Sequence, residues 1–223
     1  VDAGSAITTH LSELIKRHGH ELLGRQEVQG LLDEVGKAHP KLVEELIPTL
    51  VPLGTVVRIL ANLLKEGVPI RDLRSILEAI SDQAATTKDP EVLTEFARQA
   101  LARTITKQHQ SPDGTLQVIT LDPMLDRSLA EQATTLAPGS SLNLDPVVSH
   151  KLLSGLKQAA ERVAAQGLQP VVLCSPLLRR HLRRWSDRIL RAVPIMGLNE
   201  VDALARVQSL EMVRVDAELA QLS

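Results

Sequence analysis

The sequence predicts an α+β protein of several subdomains, in which an N-terminal helical subdomain precedes a small α/β subdomain of about four strands. Apolar residues recur at helical spacing as far as Leu101. A polar break, Lys107 to Gly114, carries a Pro-Asp-Gly turn signal. Beyond it, short β-branched runs alternate with helical patterns, the signature of an α/β layer.

Each element has its own warrant. Leu11, Leu14, Ile15, Leu22 and Leu23 share one helical face, with Gly24 placed to end the helix in a left-handed C-cap. Val28, Leu31, Leu32 and Val35 form a second helix that Gly36 closes. Leu42, Val43, Leu46 and Ile47 form a short third, stopped by Pro48. Val56, Val57, Leu60, Leu63 and Leu64 define a fourth, ending at Gly67. Leu73, Ile76, Leu77 and Ile80 define a fifth, capped by Asp72. A sixth starts at Pro90 and runs through Phe96 and Leu101.

Four strands are expected after the break: Leu116–Leu121, Pro170–Ser175, Val193–Leu198 and Leu210–Val215. Helices are expected over about Pro146–Gln166, Pro176–Leu190 and Glu200–Arg206. Asp89-Pro90, Asp122-Pro123, Asp145-Pro146 and Ser175-Pro176 each set a capping oxygen before a proline, marking helix starts.

Composition narrows the chemistry. Of 223 residues, 43% are hydrophobic and 23% charged, which excludes wholesale disorder. With one Phe (Phe96), one Trp (Trp185) and no Tyr, stacking platforms for single-stranded nucleic acid are unsupported. A net charge of −2 gives no global attraction to nucleic acid or anionic membrane. The single cysteine, Cys174, excludes an intrachain disulfide framework. Neither a membrane-spanning run nor a secretory signal is visible, and the opening on Val1 within helical pattern suggests a piece of a longer protein.

No phosphate-cradling glycine loop is recognisable, so no cofactor is expected. Among the seven histidines, His18 and His20 diverge on a helix, and His10 and His18 lie two turns apart, so no metal site is expected. Cys174, His181 and Asp187 raise a cysteine-hydrolase reading, but Val171-Val172-Leu173-Cys174 reads as a buried strand. The densest charge cluster is Arg179, Arg180, Arg183, Arg184, Arg188 and Arg191. It is either a solvated helix face or a surface for an acidic partner. Arg71, Asp72 and Arg74 form a second cluster, read as a helix cap with local ion pairs or as an intersubunit network. Residues 55–80 also carry a helix-turn-helix outline, which keeps open a DNA-binding regulator with an α/β oligomerisation domain.

Longer blocks then carry a resemblance. HELLGRQEVQ (His20–Gln29), PKLVEELIP (Pro40–Pro48), VPLGTVVRILANLLKEGVPIRDLRSILEAI (Val51–Ile80), DPEVLTEFARQALAR (Asp89–Arg103), LQVITLDP (Leu116–Pro123) and PVVLCSPLLRRHLRRW (Pro170–Trp185) resemble, in order, the export gate protein of flagellar type III secretion, the FlhA family. The virulence export gates are homologous. The resemblance implies a parent protein in the bacterial inner membrane, with this portion on the cytoplasmic side. It implies the tail of a first subdomain over 1–24, a helical third subdomain over 25–110, an α/β fourth subdomain over 113–215 and a C-terminal tail over 216–223. It further implies a nine-membered ring that receives chaperone–substrate complexes alongside other export-apparatus proteins, with no enzymatic activity of its own. Thr9, within Thr8-Thr9-His10-Leu11, falls on a family docking position, and the cleft's other residues have no counterpart here.

Overall fold

The computed structural model describes residues 2, 4–5, 7–10, 18–136, 140, 142 and 144–215. The chain divides into two compact units, Val1–Leu101 and Ala102–Ser223.

The first unit is helical. Residues 7–10 are helical and Gly19–Glu21 form a 3-10 turn. Helices α1 (Arg25–Ala38), α2 (Pro40–Glu44), α3 (Leu53–Lys65), α4 (Leu73–Gln83) and α5 (Pro90–Ala100) follow. Each longer helix turns an apolar stripe inward. Val28 and Leu32 of α1, Val56, Ile59, Leu60 and Leu63 of α3, Ile76, Leu77 and Ile80 of α4, and Leu93 and Ala97 of α5 form the core. Asn62 donates to Thr94, and the Arg98 guanidinium meets the Glu66 carboxylate at 3.2 Å, tying α3 to α5 below the surface.

Several local expectations change. Leu11, Leu14 and Ile15 lie outside the described residues. Gly24 is no left-handed C-cap: its φ is −94°, and it forms the N-cap of α1, where its N–H donates to Glu27. Gly36 does not close α1, which continues to Ala38. The helix ends instead at His39, because Pro40 disfavours an α conformation in the residue before it. Glu45–Leu50 continues α2 as a π-type turn, broken at Ile47, whose φ/ψ of −122°/126° is extended, with a cis Ile47–Pro48 bond. Gly67, by contrast, takes the left-handed conformation (φ 73°) just past α3.

The second unit holds α6 (Ala102–His109), β1 (Thr115–Leu121), α7 (Pro123–Thr134), α8 (Pro146–Ala165), β2 (Val172–Cys174), α9 (Pro176–Ser186), β3 (Ile195–Gly197) and β4 (Arg206–Val213). All four strands are parallel, in the order β3-β2-β1-β4. Helices α7, α8 and α9 contribute Leu125, Leu129, Leu152, Leu156, Leu178 and Leu182 to one core with Ile119, Val172 and Ile195 of the sheet. Gly155 lets α8 approach β4, since a Cβ there would lie 2.9 Å from a Val213 methyl.

The unit boundary precedes the polar break because α6 packs with the sheet side. Buried Thr106 of α6 donates to the Glu200 carbonyl at 3.0 Å and accepts from the Asp202 N–H at 2.9 Å. Glu200–Arg206 is not a helix. Leu198–Glu200 forms a 3-10 turn, and β4 starts at Arg206, earlier than expected, because β1 supplies hydrogen-bonding partners from Thr115↔Arg206 onward. No single helix among the described residues is long and apolar enough to cross a membrane.

Candidate docking and assembly surfaces

Thr9 is exposed, and its hydroxyl donates to the Ser5 carbonyl at 2.8 Å. That bond satisfies the polar atom within its own helical turn and leaves the side chain compact. The residues that follow it, 11–17, lie outside the described residues.

At the start of α4, the Arg71–Arg74 cluster resolves into separate tasks. Asp72 is the N-cap: its carboxylate accepts from the Ser75 N–H at 3.2 Å and from the Ser75 hydroxyl at 2.8 Å. Arg74 pairs with Glu78 one turn on, at 2.8 Å. Arg71 is exposed and has no partner among the described residues. Of the three, Arg71 alone presents an uncommitted charge.

Helix α9 requires a correction. Arg179, expected on a surface for an acidic partner, is buried. Its guanidinium lies 3.5 Å from the equally buried Glu200 carboxylate and also reaches the Ile195 carbonyl. Arg183 is largely turned inward as well, donating to the carbonyls of Val193 at 3.0 Å and Leu190 at 3.3 Å, and to Asp187 at 3.2 Å. The cause is the irregular segment after α9, whose carbonyls need donors that no strand or helix supplies. Arg184 and Arg188 stay exposed, and Arg180 is half-buried. Ile189, beside Arg188, is 48% exposed.

Asp126 of α7 was missed in the sequence. Its carboxylate accepts twice from the Ser175 N–H, at 3.1 and 3.2 Å, at the amino end of α9. Ser175 makes no side-chain cap of its own, unlike Asp89, Asp122 and Asp145. Burial pushes the Asp126 carboxyl above its ordinary range, against the hydrogen bonds from Ser175. No local spacing pairs positions 126 and 175, so only the fold reveals this cap.

Chemistry finds little footing. Cys174 is buried, its sulfur turned to the Met196 carbonyl at 3.8 Å. Among the described residues, no group of three or more His, Cys, Asp or Glu could hold a metal ion. The arrangement offers charged and compact contact points.

Comparison with known proteins agrees with that character. The FHIPEP family model matches residues 1–206. The flagellar biosynthesis protein FlhA of Bacillus subtilis is 35% identical over 215 residues, which is 96% of this chain and 32% of that protein. This chain therefore spans about a third of that relative's length. Among solved structures, the Chlamydia pneumoniae CdsV protein superposes with a TM-score of 0.85 at 28% identity, covering 94% of this chain and 60% of that one. The same protein in its complex with CdsO gives 0.81 at 29%, covering 94% and 62%. The nonameric EscV cytosolic domain from the type III secretion system gives 0.81 at 28%, covering 96% and 63%. Nothing in these likenesses supports a helix-turn-helix DNA-binding regulator. The chain belongs to the FHIPEP family, the type III secretion export-gate family that includes the flagellar biosynthesis protein FlhA.

Proposed function

We propose that this chain is cytoplasmic-side structure of a flagellar export gate, anchored through its parent protein in the bacterial inner membrane. It takes part in a ring of like subunits and helps dock chaperone–substrate complexes for export. The likeness along nearly the whole chain to the nonameric EscV cytosolic domain carries the assembly part of this reading. The flagellar assignment rests on 35% identity to a flagellar relative, against 28% for EscV. The scaffold performs no chemistry of its own, needs no cofactor and engages proteins rather than nucleic acid.

By the family resemblance, residues 1–24 form the end of a first subdomain, 25–110 a helical third and 113–215 an α/β fourth, with α6 of the third packed on the α/β side. Docking uses Thr9 together with residues from outside this chain. Assembly uses Arg71, while Arg188 remains for an acidic partner. In the complete cytoplasmic domain, Thr9→Met crowds the contact and weakens binding of a chaperone–substrate complex by ~1–3 kcal/mol, as for an overpacked site. Calorimetry on that domain checks it, with residues 1–223 alone expected to bind weakly. Unchanged affinity in a folded Thr9→Met domain removes Thr9 from the docking site. Purified protein that hydrolyses ATP above a mock preparation contradicts the absence of catalysis.

A further inference from the structure

We propose that a basic cleft in the helical unit binds an extended acidic segment of a partner protein, with carboxylates seated on Arg25 and Arg58. The cleft holds about 530 Å³ and is lined by Arg25, Pro52, Gly54, Thr55, Arg58 and Pro90, with Val57 beside them. None of these lining residues is acidic. Both guanidiniums are exposed, and neither has an ion-pair or hydrogen-bond partner among the described residues. Two uncommitted arginines beside one concavity are the charged half of an interaction whose other half lies outside the unit.

The local backbone supports the placement. Gly54 lies directly under Arg25: a Cβ there would sit 3.4 Å from an Arg25 guanidinium nitrogen. Absence of a side chain lets that guanidinium rest over the first turn of α3. Three helices begin at this cleft, α1 at Arg25, α3 just after Pro52 and α5 at Pro90, and their amino ends add positive potential. Glu27 and Asp89 already accept from backbone N–H groups at α1 and α5, whereas α3 has no side-chain cap. The arginine pair therefore supplies the specific charge, and the helix ends reinforce it.

The occupant follows from what the cleft provides. Each arginine fork matches one carboxylate. An exposed pair of this kind contributes only ~0.2–1 kcal/mol, too little to hold a small free anion at useful concentration. A polypeptide bearing several carboxylates makes the second contact intramolecular once the first has formed. Pro52, Val57 and Pro90 provide an apolar floor for its backbone and methylenes, and none of the lining residues is aromatic for a nucleotide base to stack on. Thr9 does not line this cleft, and the proposal stands whether or not Thr9 takes part in docking.

The test uses residues 1–223 with a fluorescently labelled hexaglutamate peptide and its hexaglutamine counterpart, read by anisotropy at low salt. The expected result is saturable binding of hexaglutamate alone. It weakens ~5-fold or more in Arg58→Glu and in Arg25→Glu, and further in the double variant. The Lys37→Glu/Lys157→Glu variant changes net charge equally at exposed sites elsewhere and stays within about twofold. Arg58→Gln gives a milder loss if a charge reversal fails to fold, as judged by circular dichroism. Equal loss in both double variants, no saturation by ~5 mM peptide, or displacement by inorganic phosphate at the peptide's own concentration would each overturn the assignment.

Discussion

The arginines of helix α9 and the scattered arginines Arg25, Arg58 and Arg71 of the helical unit are committed differently. Helix α9 carries the densest run of them in the chain, yet Arg179 is buried against Glu200, and Arg183 holds the carbonyls of Leu190 and Val193. In the helical unit Arg25, Arg58 and Arg71 are scattered along the sequence, and all three are exposed and uncommitted. Charge density along a sequence thus says little about charge available to a partner. What decides is whether neighbouring irregular backbone or a buried carboxylate already claims the donor. Arg179 and Arg183 hold the α/β unit together from within, whereas among the described residues of the helical unit only Arg98 is buried in this way, against Glu66, and Arg25, Arg58 and Arg71 face outward.

The strongest challenge to this contrast is at Arg179. Either Arg179→Ala or Glu200→Ala leaves one buried charge unpaired and should destabilise the α/β unit by ~3–5 kcal/mol in denaturant unfolding. Replacing both together, Arg179→Met with Glu200→Leu, should cost much less than the sum. Arg183→Ala strands the Val193 carbonyl, while the Leu190 carbonyl keeps its bond from the Val193 N–H, and is expected to cost ~1–3 kcal/mol. Helix capping offers a comparable loss in the other unit, ~0.5–2 kcal/mol for Asp72→Ala. At the bottom of the scale, Arg188→Ala should lie within ~0.5 kcal/mol of the parent, its exposed side chain holding nothing in place. A large loss there would dissolve the distinction between buried and available arginines.

Acid titration sharpens the comparison further. Asp126 has its carboxyl raised in the fold, so its contribution is fully present below the ordinary carboxylate pKa and is lost as pH rises through the raised value. Glu211 behaves oppositely. The Arg162 guanidinium, 3.0 Å away, holds its carboxyl below the usual range. That contribution is present above the unfolded value and is lost as pH falls through the depressed one. Asp126→Asn should therefore flatten the stability–pH curve above the ordinary carboxylate range, and Glu211→Gln should flatten it below. Melting temperatures from pH 3 to pH 7 distinguish the two slopes.

Much of the fold is legible in local chemistry. Periodicity locates α3, α4 and α5, and the Asp-Pro pairs locate the starts of α5, α7 and α8, because these signals act within one or two helical turns. What escapes is set by distant partners. β4 begins early because β1 offers hydrogen bonds, α6 joins the sheet side through Thr106, and Asp126 caps a helix 49 positions along. The same limit applies to function. Family blocks identify the chain, while composition at α9 suggests a partner surface that Arg179 does not share. The cleft of Arg25 and Arg58 has no sequence signature, since its walls come from three helix starts.

Assembly of the complete cytoplasmic domain tests most directly whether outward arginines of the helical unit make the contacts. Arg71→Glu and Arg188→Glu change charge equally, at exposed positions in different units. Sedimentation should show the Arg71 variant shifted from ring to smaller species, with the Arg188 variant assembling like the parent. Rings that survive Arg71→Glu but fail with Arg188→Glu would place the contact charge in the arginine-dense helix and contradict the division drawn between the two units.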